Sequence, residues 1–296
     1  MLVNGCDCSI VIKTSHCEMD VPYSEETIRE AAAILQEEAA IEGDGCCKAI
    51  RKNSGFTGCV VAPLTLGTAP LLLYLAMGAV GKPVFVSETR NLYKYELNLL
   101  PLEDTERFDL IQDRGGERKL FEGCGITGFE LRFLRGEAVK LKLDICGERS
   151  PRIYPYTDST QSQTTKLSGT VIGNERFSGD FTSYWINGRE YKNIYGVTLS
   201  CKKEGGTKTE LWIKRVLENG DDLPSSIEEF IISAQLLKDS YEYRHYGTFH
   251  ITLKRLVLVC DETNVNSTDA VVGPLRFYVA GAVSTEVFTT GEGVIA

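Results

Sequence analysis

Between Phe129 and Ile145 the sequence alternates apolar and charged residues with a period of two. Phe129, Leu131 and Phe133 alternate with Glu130 and Arg132; after Arg135-Gly136-Glu137, Val139, Leu141, Leu143 and Ile145 alternate with Lys140, Lys142 and Asp144. Successive side chains of a strand point to opposite faces, so this pattern buries one face and wets the other. A helix would scatter the same residues around its axis. The stretch reads as a long amphipathic hairpin. The expected fold class is therefore mainly β, a sandwich or barrel with flanking short helices.

The same period recurs elsewhere. Tyr93, Tyr95, Leu97 and Leu99 alternate with Lys94, Glu96 and Asn98, and Phe108 to Gln112 precedes a turn at Asp113-Arg114-Gly115-Gly116. Gly196-Val197-Thr198-Leu199 leads through Glu204-Gly205-Gly206 to Leu211 and Ile213, and His250–Cys260 and Leu275–Val287 read as strands. Helices are expected near 24–41 and 70–78. The first rests on Ser24 as a cap, Glu25 and Glu26 in the first turn, apolar spacing through Ile28, Ala31, Ala32, Leu35 and Ala39, and a stop at Gly43. The second rests on Pro70 as a first-turn proline and Gly78 as a stop. Ser225 and Glu228 have capping-box spacing before Phe230–Leu237, a segment that fits either a helix or a buried strand.

Residues 148–166 are rich in Pro, Ser, Thr and Gln, which places a boundary there: an N-terminal β lobe over 1–155 and a C-terminal β lobe over 156–296. Gly125-Ile126-Thr127 precedes Gly196-Val197-Thr198 by about 71 positions, a near-constant offset that suggests two related lobes.

Charge narrows the classes of function. With 41 acidic and 32 basic residues the net charge is −9, the wrong sign for tight binding to phosphates. The ten cysteines are too sparse for a disulfide scaffold, and the opening residues lack a signal-peptide pattern, so an intracellular, reduced protein is expected. Gly58–Gly81 carries no charge, but Pro63, Gly67 and Pro70 interrupt it. Since a spanning helix needs about 20 apolar residues, a buried helix is expected and no membrane partner.

Chemistry-bearing patterns are few. Gly78–Pro83 lacks the spacing and the hydroxyl of a phosphate loop. Cys6, Cys8, His16 and Cys17 match no zinc template, and Cys46-Cys47 is vicinal. His16, His245 and His250 are the only histidines, and none accompanies a nucleophile elbow. Tyr184, Trp185, Tyr191 and Tyr195, beside Arg189 and Lys192, fit sheet packing better than base stacking. The expectation is no enzyme, with no catalytic, cofactor-binding or metal residue and no cofactor.

Several strings taken in order carry a resemblance: Ser54-Gly55-Phe56-Thr57-Gly58, Pro63, the Leu71–Gly78 helix, Gly123-Cys124-Gly125-Ile126-Thr127-Gly128-Phe129-Glu130-Leu131, Lys140–Asp144, then Val257–Thr263 and Gly273–Val279. This order resembles the major tail (tail tube) proteins of long-tailed bacteriophages from about residue 50 onward. Residues 1–45 fit the family less well. The resemblance implies sandwiches joined into rings, which stack into the conduit for DNA during ejection. Implied partners are copies of itself, other tail proteins, and DNA that passes without tight binding. With two lobes per chain the ring would be a trimer; with one sandwich per chain, a hexamer. The implied location is the virion tail, after assembly in the bacterial host cytoplasm of a phage or prophage. The loops at Arg149–Lys166 and Asp261–Asp269 would contact other rings, and the bore would carry mainly Asp and Glu. Alternative readings are a tube of a related contractile injection or secretion machine, or a ligand-binding β protein or hydrolase.

Overall fold

The computed structural model describes residues 8–15, 17–31, 35–38, 48–51, 55–78, 84–87, 92–149, 151–154, 175–216, 223–237, 246–261 and 272–290. The chain is mainly β. Its first third contains β1 (Cys8–Lys13), β2 (Glu18–Asp20), β3 (Glu25–Glu26), β4 (Arg29–Glu30), β5 (Leu35–Glu38), β6 (Lys48–Arg51), β7 (Phe56–Pro63), α1 (Ala69–Met77), β8 (Val84–Ser87) and β9 (Leu92–Asn98). The middle holds β10 (Phe108–Arg114), β11 (Glu117–Leu134), β12 (Lys140–Gly147) and β13 (Arg152–Ile153). Then come β14 (Thr182–Ile186), β15 (Arg189–Glu190), β16 (Ile194–Lys202), β17 (Lys208–Val216), β18 (Ser226–Leu237), β19 (Tyr246–Asp261), β20 (Val272–Val279) and β21 (Val283–Thr290). Nineteen of these strands form one antiparallel hydrogen-bonded network, while β5 and β6, among the described residues, pair with each other.

Two long strands turn that network into layers. The first part of β11 pairs with β10 and β13, and β10 pairs with β1, which pairs with β2. Just past Gly123, at a φ of 65°, Cys124 makes the last pairing with β10, and from Gly125 the same strand pairs with β12 and then β16. The large sheet then runs β7–β12–β11–β16–β17–β20–β19, with β3 and β4 on the outer edge of β7. β19 makes a similar change. Its last residues pair with β20 and its first with β21, and β21 continues to β9 and β8. On its other side β19 pairs with β18, which leads to β14 and β15. The change falls at Arg255, at a φ of 52°, where the Ala280 N–H donates to the Arg255 carbonyl at 2.8 Å. Gly281 is required by the close approach here: a Cβ would lie 2.4 Å from the Lys254 carbonyl oxygen.

The core lies between the layers. Ala62, Leu141, Leu131, Leu199, Leu211 and Phe277 are register partners across six strands, and all are buried. Phe133 of this sheet approaches Phe249 of the other at 6.0 Å, and Phe177 meets the same ring edge-on at 4.9 Å. α1 is buried on nearly all sides, as its sequence Ala-Pro-Leu-Leu-Leu-Tyr-Leu-Ala-Met requires. Pro70 stands in its first turn. At its end the Gly78 N–H donates to the Tyr74 carbonyl at 2.7 Å, with φ at 110°, so Pro and Gly bound it as the sequence predicts.

The helix expected over 24–41 is not there. β3 and β4 pair with β7, and the expected helix face is replaced by an edge on which Ile28 is buried and Ala31 only half-buried. Pairing with a strand some thirty residues away overrides the local helical spacing. Phe230–Leu237 belongs to strand β18. Residues 155–174, which contain the expected lobe boundary, lie outside the described residues, as do most of the expected loop contacts at 149–166 and 261–269. Across that boundary β11 pairs directly with β16 over Gly128–Leu134, and buried residues from both sides form one apolar cluster. No helix among the described residues is long and apolar enough to cross a membrane.

Candidate assembly surface

The alternation that buries one face of the large sheet displays the other. The outward positions of β12, β11, β16, β17 and β20 include Arg132, Lys140, Lys142, Lys202, Lys208, Lys214 and Arg276 against Glu130, Asp144 and Glu210. In a chain of net charge −9 this face is cationic, so the rest is more acidic than the total implies. Some of the charges pair within the face: Lys142 with Asp144 at 3.1 Å, Arg132 with Glu130, and Arg276 with Glu210 at 2.5 Å. Lys140 reaches Glu137 of the turn at 3.5 Å. Arg276 also stacks over Trp212, 5.2 Å from the ring centre. Exposed pairs of this kind contribute about 0–1 kcal/mol each and leave the cations able to exchange partners. A cleft of about 290 Å³ lies at one margin, lined by Ser24, Glu25, Val61, Glu130, Arg132, Lys140 and Lys142.

The sheet edges carry a different signal. Among the described residues β8 pairs only with β9, and its Val84, Phe85 and Val86 are 56%, 45% and 49% exposed. At the far edge of the same sheet, beyond β18, Phe181 and Trp185 are also exposed. Val257 and Tyr278, register partners on β19 and β20, make a third exposed apolar spot with Val259. An unpaired strand with large apolar side chains is a template for another chain.

The residues singled out from sequence are dispersed. Cys8 and Cys17 are free thiols near β1, while Cys6, His16, Cys46, Cys47, His245 and Gly81–Pro83 lie outside the described residues. Among the described residues no three His, Cys, Asp or Glu converge as metal ligands. Tyr184 is in the core and Trp185 faces outward, while Tyr191 and Tyr195 are half-buried; Arg189 lies over the Tyr191 ring at 5.2 Å. The aromatic run is thus divided between two faces. His250 stands opposite Glu286 on the outward side of β19, edge-on to Phe288 at 5.9 Å. Burial pushes its pKa down, with Glu286 opposing. Lys94 bridges Glu286 at 2.6 Å and Glu96 at 2.7 Å, and both contacts raise its pKa.

Sequence reading missed Lys203. It follows β16 on the same side as buried Cys201, is only 3% exposed, and its Nζ has no hydrogen-bond partner among the described residues. Burial lowers its pKa to about 8, and Cys201 partly opposes that shift. A lysine beside a glycine turn gives no signal of burial in the sequence.

Comparison of the chain with descriptions of known protein families gives no match, and comparison with curated proteins gives none either.

Proposed function

We propose that this chain is a structural subunit that joins copies of itself into rings, and that the stacked rings form the tail tube through which phage or prophage DNA leaves. The observation that supports this is a sheet whose two edges, β8 at one and β14–β15 at the other, have no further strand among the described residues and carry exposed large apolar residues. A contact between two different edges is heterologous, and a heterologous contact builds rings or filaments. The resemblance in the order of motifs supplies the tube and its cargo.

The hairpins β11–β12 and β16–β17, which suggested two lobes, meet antiparallel along β11 and β16. That is a local two-fold relation, unlike the rotation between neighbours in a ring. We therefore favour one ring position per chain and six chains per ring. For a conduit that does not retain DNA, the acidic surface lines the bore and the cationic sheet face turns away from it.

Electron microscopy of concentrated protein tests the reading. Rings or hollow rods are expected, with a native mass of six chains. Phe85→Lys and Trp185→Lys should each abolish them without unfolding the chain. A protein that remains single at every concentration, or that closes its edges around a ligand, overturns it.

A further inference from the structure

The β14–β15 hairpin turns on Asn187 and Gly188, between the register partners Ile186 and Arg189. Both turn residues are exposed, with φ at 48° and 82°, the backbone that an Asn-Gly pair readily adopts in a tight hairpin. The turn is also fastened to β18. The Asn187 N–H donates to the Glu229 carbonyl at 2.9 Å, which carries the β14–β18 ladder one residue beyond Ile186 and Phe230. The chain then turns away, and the Asn187 side chain takes the place of the next backbone acceptor. Its Oδ1 accepts from the Glu229 N–H at 3.0 Å and from the Glu228 N–H at 3.1 Å. Glu228 can aim its N–H there because the β18–β19 register passes from Ile227–Leu256 directly to Glu229–Lys254.

Two backbone N–H groups converging on one carbonyl oxygen are the arrangement that stabilises an oxyanion. Here the carbonyl is a side-chain amide, and a nucleophile is covalently adjacent: the backbone nitrogen of Gly188, a residue with no side chain to shield it. We propose that Asn187-Gly188 is a self-modification site at which the fold promotes loss of the Asn187 amide. The Gly188 nitrogen gives its proton to solvent and bonds to Asn187 Cγ, while the charge developing on Oδ1 is held by the Glu228 and Glu229 N–H groups. The Cγ–Nδ2 bond then breaks, and the amide nitrogen takes a proton from solvent and leaves as ammonia. Water opens the resulting succinimide at either carbonyl, giving aspartate or isoaspartate, so water is the only co-reactant. Aspartate adds one negative charge to the turn. Isoaspartate lengthens the backbone at the residue whose N–H holds the Glu229 carbonyl, and so loosens the hairpin, with Trp185, from β18. The change makes the hairpin a timer of the molecule's age. It goes beyond the assembly reading and does not depend on it.

The experiment follows this residue in the full chain. The sequence supplies its own reference, since Asn4-Gly5 and Asn219-Gly220 are the other Asn-Gly pairs and both lie outside the described residues. Protein is aged at neutral pH, native and in guanidinium, and the peptide holding each pair is resolved into asparagine, aspartate and isoaspartate by chromatography and mass spectrometry. Asn187 should react about tenfold faster in the native chain than in the unfolded one, well below the roughly hundredfold that one such donor contributes in an enzyme. Glu228→Pro removes one of the donors and should slow Asn187 relative to Asn4 and Asn219 in the same sample. If circular dichroism shows that this variant has lost its strands, the comparison of native with unfolded wild type decides alone. A native rate at or below the unfolded rate means that the N–H pair shields the amide, and overturns the proposal. Aspartate without isoaspartate means direct attack by water with no ring, and overturns it as well.

Discussion

The two faces of the β12–β11–β16–β17 sheet are made from neighbouring residues yet obey different rules. On the inward face Leu131, Phe133, Leu141, Leu199 and Leu211 are at most 1% exposed, flanked by register partners on adjoining strands, and Phe133 reaches Phe249 of the opposite layer. On the outward face Arg132, Lys202 and Lys208 are exposed, and their contacts are weak and exchangeable. The comparison teaches that packing stability resides on one side and exchangeable surface charge on the other, one residue apart along the chain.

That division can be attacked in order of expected effect. Phe133→Ala should cost about 3–5 kcal/mol in urea unfolding, because the ring is fully buried against Phe249 and the cavity cannot collapse. A loss under about 1 kcal/mol would mean that the layers are not packed through this ring. Gly281→Ala, at the corner where β20 hands over to β21, should cost about 1–3 kcal/mol, since the added methyl would press on the Lys254 carbonyl.

Lys203 is one exception that sharpens the comparison, a buried charge following the inward-facing Cys201; Arg215 of β17 is another. Its folded pKa of about 8 lies below the ordinary 10.5. Below pH 8 both folded and unfolded chains hold the proton, and the full burial penalty applies. Between about pH 8 and 10.5 the unfolded chain holds more protons, so this group makes stability rise with pH. Lys203→Met should add about 2 kcal/mol at pH 7 and flatten that rise; an unchanged pH profile would show that the amine is hydrated. Smallest of all, Lys208→Ser should change unfolding by less than about 0.5 kcal/mol, in contrast to Phe133→Ala.

The sequence made the hairpin of β11 and β12 plain because one face is buried from Phe129 to Ile145, past the irregularity between Ile126 and Gly128, so the alternation holds over that stretch. α1 was equally plain, since Pro70 and Gly78 punctuate an apolar run. β18 was ambiguous for a physical reason: its buried set runs Ile227, then Phe230, Ile232, Ala234 and Leu236, and the alternation changes phase within the strand. The segment 24–41 was misread because its strand character comes from β7, a partner that local spacing does not reveal. The candidate surface was half legible. Alternation marks Arg132 and Lys140 as outward, but only register shows that they are neighbours in one cationic row with Trp212 and Arg276.

β11 and β19, of 18 and 16 residues, each belong to two layers. A pull applied at an outer strand would reach the next layer through covalent backbone rather than through hydrogen bonds alone. The layers cannot be peeled apart by unzipping one ladder; they must be sheared together, which makes the fold resistant to force applied at an outer strand.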